Sequence, residues 1–137
     1  MPIVGLNLTG ITANADTKDV KETINVNSTP TIERIDKKDI DMPGVKDVLA
    51  IGFRFRTQYE PNVGDIAVDG EILYHSDKNR DILAKWKKER RVEDDVAAEL
   101  LNAIFRKCLT EAIHVAQELR LPPPIQFPVV VPKDQKK

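Results

Sequence analysis

The chain holds a single cysteine, Cys108, in 137 residues. One thiol closes no intrachain disulfide and builds no cysteine-based zinc site. An excess of one charge is lacking as well. Lys and Arg number 21 against 22 Asp and Glu, and a net charge of -1 leaves no basic footprint for nucleic acid. Uninterrupted apolar runs last only a few residues, so no spanning helix and no membrane partner is expected. The start, Met1-Pro2-Ile3-Val4, has no basic region ahead of a sustained apolar stretch, which argues against a signal peptide and for a cytoplasmic protein. Neither G-x-x-x-x-G-K nor a strand-linked G-x-G-x-x-G occurs, so no phosphate loop is indicated.

Groups for catalysis are scarce too. His75, Ser76 and Asp77 are consecutive, and sequence neighbours do not face one another as a triad must. Ser76 or Asp77 reads instead as the N-cap of a helix. His114 falls opposite the centre of a helical apolar arc, a surface position. Cys108 lies on the inner side of that arc, where a thiol behaves as a small hydrophobe without a thiolate-stabilising neighbourhood. Asp65, Asp69 and Glu71 share one parity of a strand whose other parity is apolar. They therefore face water, within reach of Arg54 and Arg56 on the adjacent strand. No catalytic residue, metal site or cofactor is called for, and an enzyme is not expected.

What the chain does have is periodicity. Val4, Leu6 and Leu8 alternate, and the phase slips at Gly10 before Ile11 and Ala13, as in a strand with a bulge. Ile24 and Val26 mark a second strand from Glu22 to Asn27, limited or kinked by Pro30, which suits a sheet edge. Leu49, Ile51, Phe53 and Phe55 form the cleanest alternation, with Arg54 and Arg56 on the wet face. Tyr59 to Gly64 reads as a loop. Ile66, Val68, Ile72 and Tyr74 form a fourth strand whose inner face Gly70 interrupts. A short connection implies that these two strands pair antiparallel.

A helix carrying Ile82, Leu83 and Trp86 follows and ends in the basic run Lys85 to Arg91, taken as solvated. A longer helix spans residues 93–119, opened by Glu93, Asp94 and Asp95, which suit the positive end of its dipole. The expected class is therefore α+β: a four-stranded antiparallel sheet with two C-terminal helices packed on one face.

On the long helix Leu101, Ile104, Phe105, Cys108, Leu109, Ala112, Val115, Ala116 and Leu119 fall within an arc of roughly 140°, wider than the ~100° stripe one packing surface requires. The surplus points to a second copy of the chain, unless the first helix covers it. Beyond the helix, Leu121 to Pro128 joins three consecutive prolines to Ile125 and Phe127. Proline fixes φ and removes a donor, so this segment is stiff, extended and apolar, and has to lie against something.

The order of these elements is similar to the SecB export chaperones and their SecB-like relatives. A bulged first strand and a proline-containing second strand lead through a crossing loop to the pair Val48–Phe55 and Ile66–Leu73. A short helix, a long helix and the Pro-Pro-Pro-Ile-Gln-Phe exit complete it. SecB itself continues with a short C-terminal helix, where this chain has Val129-Val130-Val131-Pro132 and a charged end. The resemblance implies a single SecB-like domain over residues 1–128 and a tail over 129–137. It further implies a homo-oligomer, a dimer or dimer of dimers built through helix 93–119, that holds non-native polypeptides in apolar grooves without ATP. Met42, Ile82, Trp86, Ile125 and Phe127 are the expected groove residues, with Trp86 either a groove wall or a core anchor. Two alternatives stand beside this reading. One is a subunit specific for one protein partner, docked for example by strand addition at the Ile24 to Ile35 edge. The other is a small-molecule binder.

Overall fold

A computed structural model describes residues 3–16, 24–38, 48–60 and 63–125. Four strands come first: β1 (Ile3–Ala15), β2 (Asn25–Lys38), β3 (Val48–Glu60) and β4 (Gly64–Tyr74). Two helices follow, α1 (Asn79–Glu89) and α2 (Asp94–Glu118). The strands form one antiparallel sheet in the order β1-β4-β3-β2, so the expected α+β class is observed. β2, β3 and β4 are neighbours in turn, and β1 closes against β4, a Greek-key order that leaves β1 and β2 as the two edges.

Alternation on β3 decides which face is buried. Leu49, Ile51, Phe53 and Phe55 are all at most 1% exposed, and the same parity continues through Thr57 to Tyr59. The buried Thr57 hydroxyl is satisfied by Ser28 on β2, 3.0 Å away. On β4 the matching set is Ile66, Val68, Ile72 and Tyr74, with Gly70 standing opposite Phe53. That glycine is a packing requirement: a Cβ there would lie 2.5 Å from Phe53 Cζ and 2.8 Å from the Asn7 carbonyl oxygen. The phenyl ring thus occupies the room that a side chain on β4 would need.

α2 presents Val96, Leu100, Ile104, Cys108, Ala112 and Ala116 to this face, one residue in every four, and all are buried. Phe105 reaches Phe55 edge-on, with ring centroids 5.4 Å apart and planes at 80°, the quadrupole-favoured arrangement. Cys108 is fully buried, and burial pushes its thiol up to about 12. The opposite sheet face is wet. Arg54 holds Asp69 through two hydrogen bonds of 2.7 and 3.2 Å, and Arg56 holds Asp65 at 2.6 Å. Lys38 and Arg34 reach Glu71 at 3.1 and 3.4 Å. Asp65 and Asp69 pair with Arg56 and Arg54 on the adjacent strand as the parity implies, while Glu71 pairs instead with two cations of β2, across β3. Such exposed pairs contribute at most about 1 kcal/mol each.

Several boundaries differ from those read in the sequence. β2 does not stop near Pro30 but runs on to Lys38. It is an edge strand, so Pro30, paired with Phe55, costs no ladder bond on the open side. A register shift falls between Ile32 and Arg34, and one on β1 between Leu8 and Gly10, next to the expected bulge. Tyr59 and Glu60 belong to β3 and Gly64 to β4, so the connecting loop is shorter than Tyr59 to Gly64. Neither Ser76 nor Asp77 is the helix cap. Lys78 takes that position with no side-chain cap, while Ser76 Oγ accepts from the Lys78 N–H at 3.2 Å in the preceding turn.

The exit from α2 is a Schellman ending. Leu121 N–H donates to Ala116 O at 2.8 Å and Arg120 N–H to Gln117 O at 3.3 Å, with Arg120 left-handed at φ 58°. Leu121 is buried beside Gly64, and the Tyr59 hydroxyl donates to Pro122 O at 2.6 Å. The start of the proline segment therefore lies against the β3–β4 end of the sheet.

Candidate functional site

The first helix sets the candidate site. Asn79, Ile82 and Trp86 are its buried residues, and they recur at helical spacing. Asn79 Nδ2 donates to Tyr74 O at 3.3 Å, which ties the start of α1 to the end of β4. At the other end Arg90 is left-handed at φ 57°, its N–H returns to Trp86 O at 2.8 Å, and its guanidinium lies 5.7 Å from the Trp86 ring. That position combines a left-handed cap with a cation–π contact. Held at both ends with its inner face committed, α1 turns the adjacent face, Arg80, Leu83, Ala84 and Lys87, outward.

This face borders an open pocket of ≈310 Å³. Leu49 of β3, Leu83 and Ala84 supply its apolar surface; Lys37 of β2, Arg80 and Lys87 supply cations, and Asn79 is the remaining neighbour. Lys37 stands opposite Leu49 in the strand register, so a β2 cation shares the helix-side face with a core leucine. Among the described residues no acid lines the pocket, and neither Arg80 nor Lys87 forms an ion pair. A second cavity of ≈300 Å³ at the other end of β3 is polar, and the Arg56–Asp65 pair already occupies its lining.

α2 carries a second exposed feature. Beside its buried row lies another, Leu101, Phe105, Leu109 and Ile113, each only half-buried, and Val115 and Leu119 flank its C-terminal end in the same state. α1 does not cover this width, since it packs on β2 and β3.

The residues expected to line a groove separate into three groups. Ile82 and Trp86 are 5% and 7% exposed and belong to the core cluster. Ile125 is half-buried at the bend after the prolines. Met42 and Phe127 lie outside the described residues. The pocket's own lining was missed. Its signal was available, because 80, 83, 84 and 87 follow the i, i+3, i+4, i+7 spacing of one helix face. Sequence alone places Leu83 with the inner residues and Lys87 in a solvated run.

Chemically the described residues of this region offer apolar surface and positive charge. No group of three or more His, Cys, Asp or Glu side chains fit to hold a metal occurs among the described residues. None of the described helices is long and apolar enough to cross a membrane.

No protein-family model matches the chain, and no curated protein matches it in sequence. Among solved structures it is similar to a SecB-like chaperone of Mycobacterium tuberculosis, determined in complex with a ChAD peptide from the HigA1 antitoxin. The superposition has a TM-score of 0.54 at 14% identity and covers 94% of this chain and 86% of that one. What the two chains share is the SecB-like fold.

Proposed function

We propose that this protein is an ATP-independent holdase that binds unfolded or non-native polypeptides on apolar surface. The observation that carries the proposal is the open pocket between α1 and the β2–β3 edge, floored by Leu49, Leu83 and Ala84. It supports the reading because the fold is that of a chaperone solved with a peptide bound. Residues 1–128 are taken as one SecB-like domain and 129–137 as a tail. Met42, Ile125 and Phe127 extend the proposed lining, while Ile82 and Trp86 back it from the core. The protein acts in the cytoplasm as a dimer or dimer of dimers, assembled through the half-buried row on α2. Affinity in such a surface comes from apolar burial, worth about 25 cal/mol per Å² before ordering costs.

A specific observation favours a second reading. The similar chaperone holds a segment of one defined protein, an antitoxin, and the chain would then serve a single partner. Light scattering of a chemically denatured client diluted into buffer tests the first reading. Wild type at severalfold excess is expected to suppress aggregation without ATP, and Leu83→Ser and Phe127→Ala to weaken the effect. Unchanged aggregation would overturn the holdase. Recovery of one stoichiometric protein from the native cell, in place of a mixed set of clients, would favour the specific partner.

A further inference from the structure

We infer that the pocket beside α1 selects acidic polypeptide segments, in which an apolar side chain is flanked by carboxylates. The inference rests on the polypeptide-binding reading and names the chemistry that the site prefers. Of the seven described residues that line it, Lys37, Arg80 and Lys87 are cations, and none of the seven is an acid. The apolar residues are central: on α1, Leu83 and Ala84 lie between Arg80 and Lys87. A helix rises 1.5 Å per residue, so the two cations are separated by about 10 Å along the axis.

An extended chain places alternate side chains on one face and advances about 3.3 Å per residue. In the pattern acid-x-apolar-x-acid, three side chains point the same way and the outer two are about 13 Å apart. The reach of Arg80 and Lys87 spans that separation while the central residue enters over Leu49, Leu83 and Ala84. β2, which contributes Lys37, is an edge strand of the sheet, so an extended segment can approach beside it without displacing a neighbouring strand. A basic segment would instead bring like charges against the rim. Exposed ion pairs are individually weak, and two of them are expected to give roughly three- to tenfold discrimination at low salt. Screening should erode it as ionic strength rises.

The test uses fluorescein-labelled peptides in a Gly/Ser context, read by anisotropy against the full chain. Their cores are Glu-Ser-Leu-Ser-Glu, Gln-Ser-Leu-Ser-Gln, Lys-Ser-Leu-Ser-Lys and Glu-Ser-Ser-Ser-Glu. The first should bind at least threefold tighter than the second and third, and the loss of leucine in the fourth should weaken it. The double variant Arg80→Glu, Lys87→Glu should reverse the order of the first and third peptides, with its fold checked by circular dichroism. Equal binding of all charge types within twofold, or an order that the double variant leaves unchanged, overturns the inference. Aggregation suppression measured on the same preparations separates the two failures. Suppression with no charge preference sinks only the acidic-segment assignment; no suppression and no peptide binding sinks both.

Discussion

The contact that joins the proline exit to the sheet makes a sharp prediction. The Tyr59 hydroxyl donates to Pro122 O at 2.6 Å, and the ring is 1% exposed on the inner face of β3. Tyr59→Phe keeps the ring and removes only the donor. A neutral hydrogen bond contributes about 0.5–1.5 kcal/mol net. Pro122 is exposed, so water replaces the lost donor at its carbonyl and no larger desolvation cost is added. The global loss should therefore be about 1 kcal/mol, equivalent to a fall in Tm of roughly 3–5 °C for a chain of this length. The local effect should be larger than the global one. Leu121 remains buried and the Schellman bonds to Ala116 and Gln117 remain, but the prolines lose their only hydrogen bond to the sheet among the described residues. Urea titration gives the global term. Hydrogen exchange gives the local one at the Leu121 amide, which donates to Ala116 O just ahead of the prolines. Unchanged urea midpoint together with unchanged protection of Leu121 would refute the idea that this bond anchors the exit.

Four further outcomes follow from the packing and the charges. Gly70→Ala should lose roughly 1–3 kcal/mol in urea, because the new methyl meets Phe53 and the Asn7 carbonyl. Arg120→Gly should gain roughly 0.5–1 kcal/mol by relieving a left-handed non-glycine residue, read as a higher Tm. Burial holds the Tyr59 and Tyr74 hydroxyls up to about 12, Tyr74 with help from the Glu99 carboxylate, against 10 in the unfolded chain. Their stabilisation is complete below pH 10 and is lost as the pH rises through 12, by at most about 3 kcal/mol per group, so alkaline titration should show unfolding in that window. If the proposed oligomer forms through α2, Leu101→Glu with Leu109→Glu should shift it toward monomer in analytical ultracentrifugation while the circular dichroism stays native; an unchanged sedimentation coefficient would remove α2 as the proposed subunit contact.

Most of the fold was legible because its signals are local. The alternation of Leu49, Ile51, Phe53 and Phe55 and the breadth of the apolar arc on the long helix survive any tertiary context. The misread boundaries lie where tertiary pairing outweighs the local signal. Pro30 is a strand terminator only if both sides of the strand must donate, and β2 donates to one. Tyr59 looked like loop because Pro61 and Gly64 follow it, yet its ring completes the core at the end of β3. Candidate site residues fared less evenly. Apolar character chose Ile82 and Trp86, but apolar character alone does not distinguish a helix's inner face from the face beside it. Both are buried, and the half-buried Leu83 borders the pocket.

The sequence by itself determined the class of the protein: an antiparallel sheet backed by two helices, one cysteine with no second in the chain to pair with, and a proline-rich apolar stretch after the long helix. These depend on periodicity, composition and proline chemistry, which act between near neighbours along the chain. Tertiary structure alone decided that Arg80 and Lys87 share an open apolar pocket with Lys37 and Leu49. It also decided that the proline exit begins hydrogen-bonded to Tyr59. Both juxtapose residues far apart in the chain, and only the register of β2 on β3, the inner face taken by α1 and the Schellman turn after α2 bring them together.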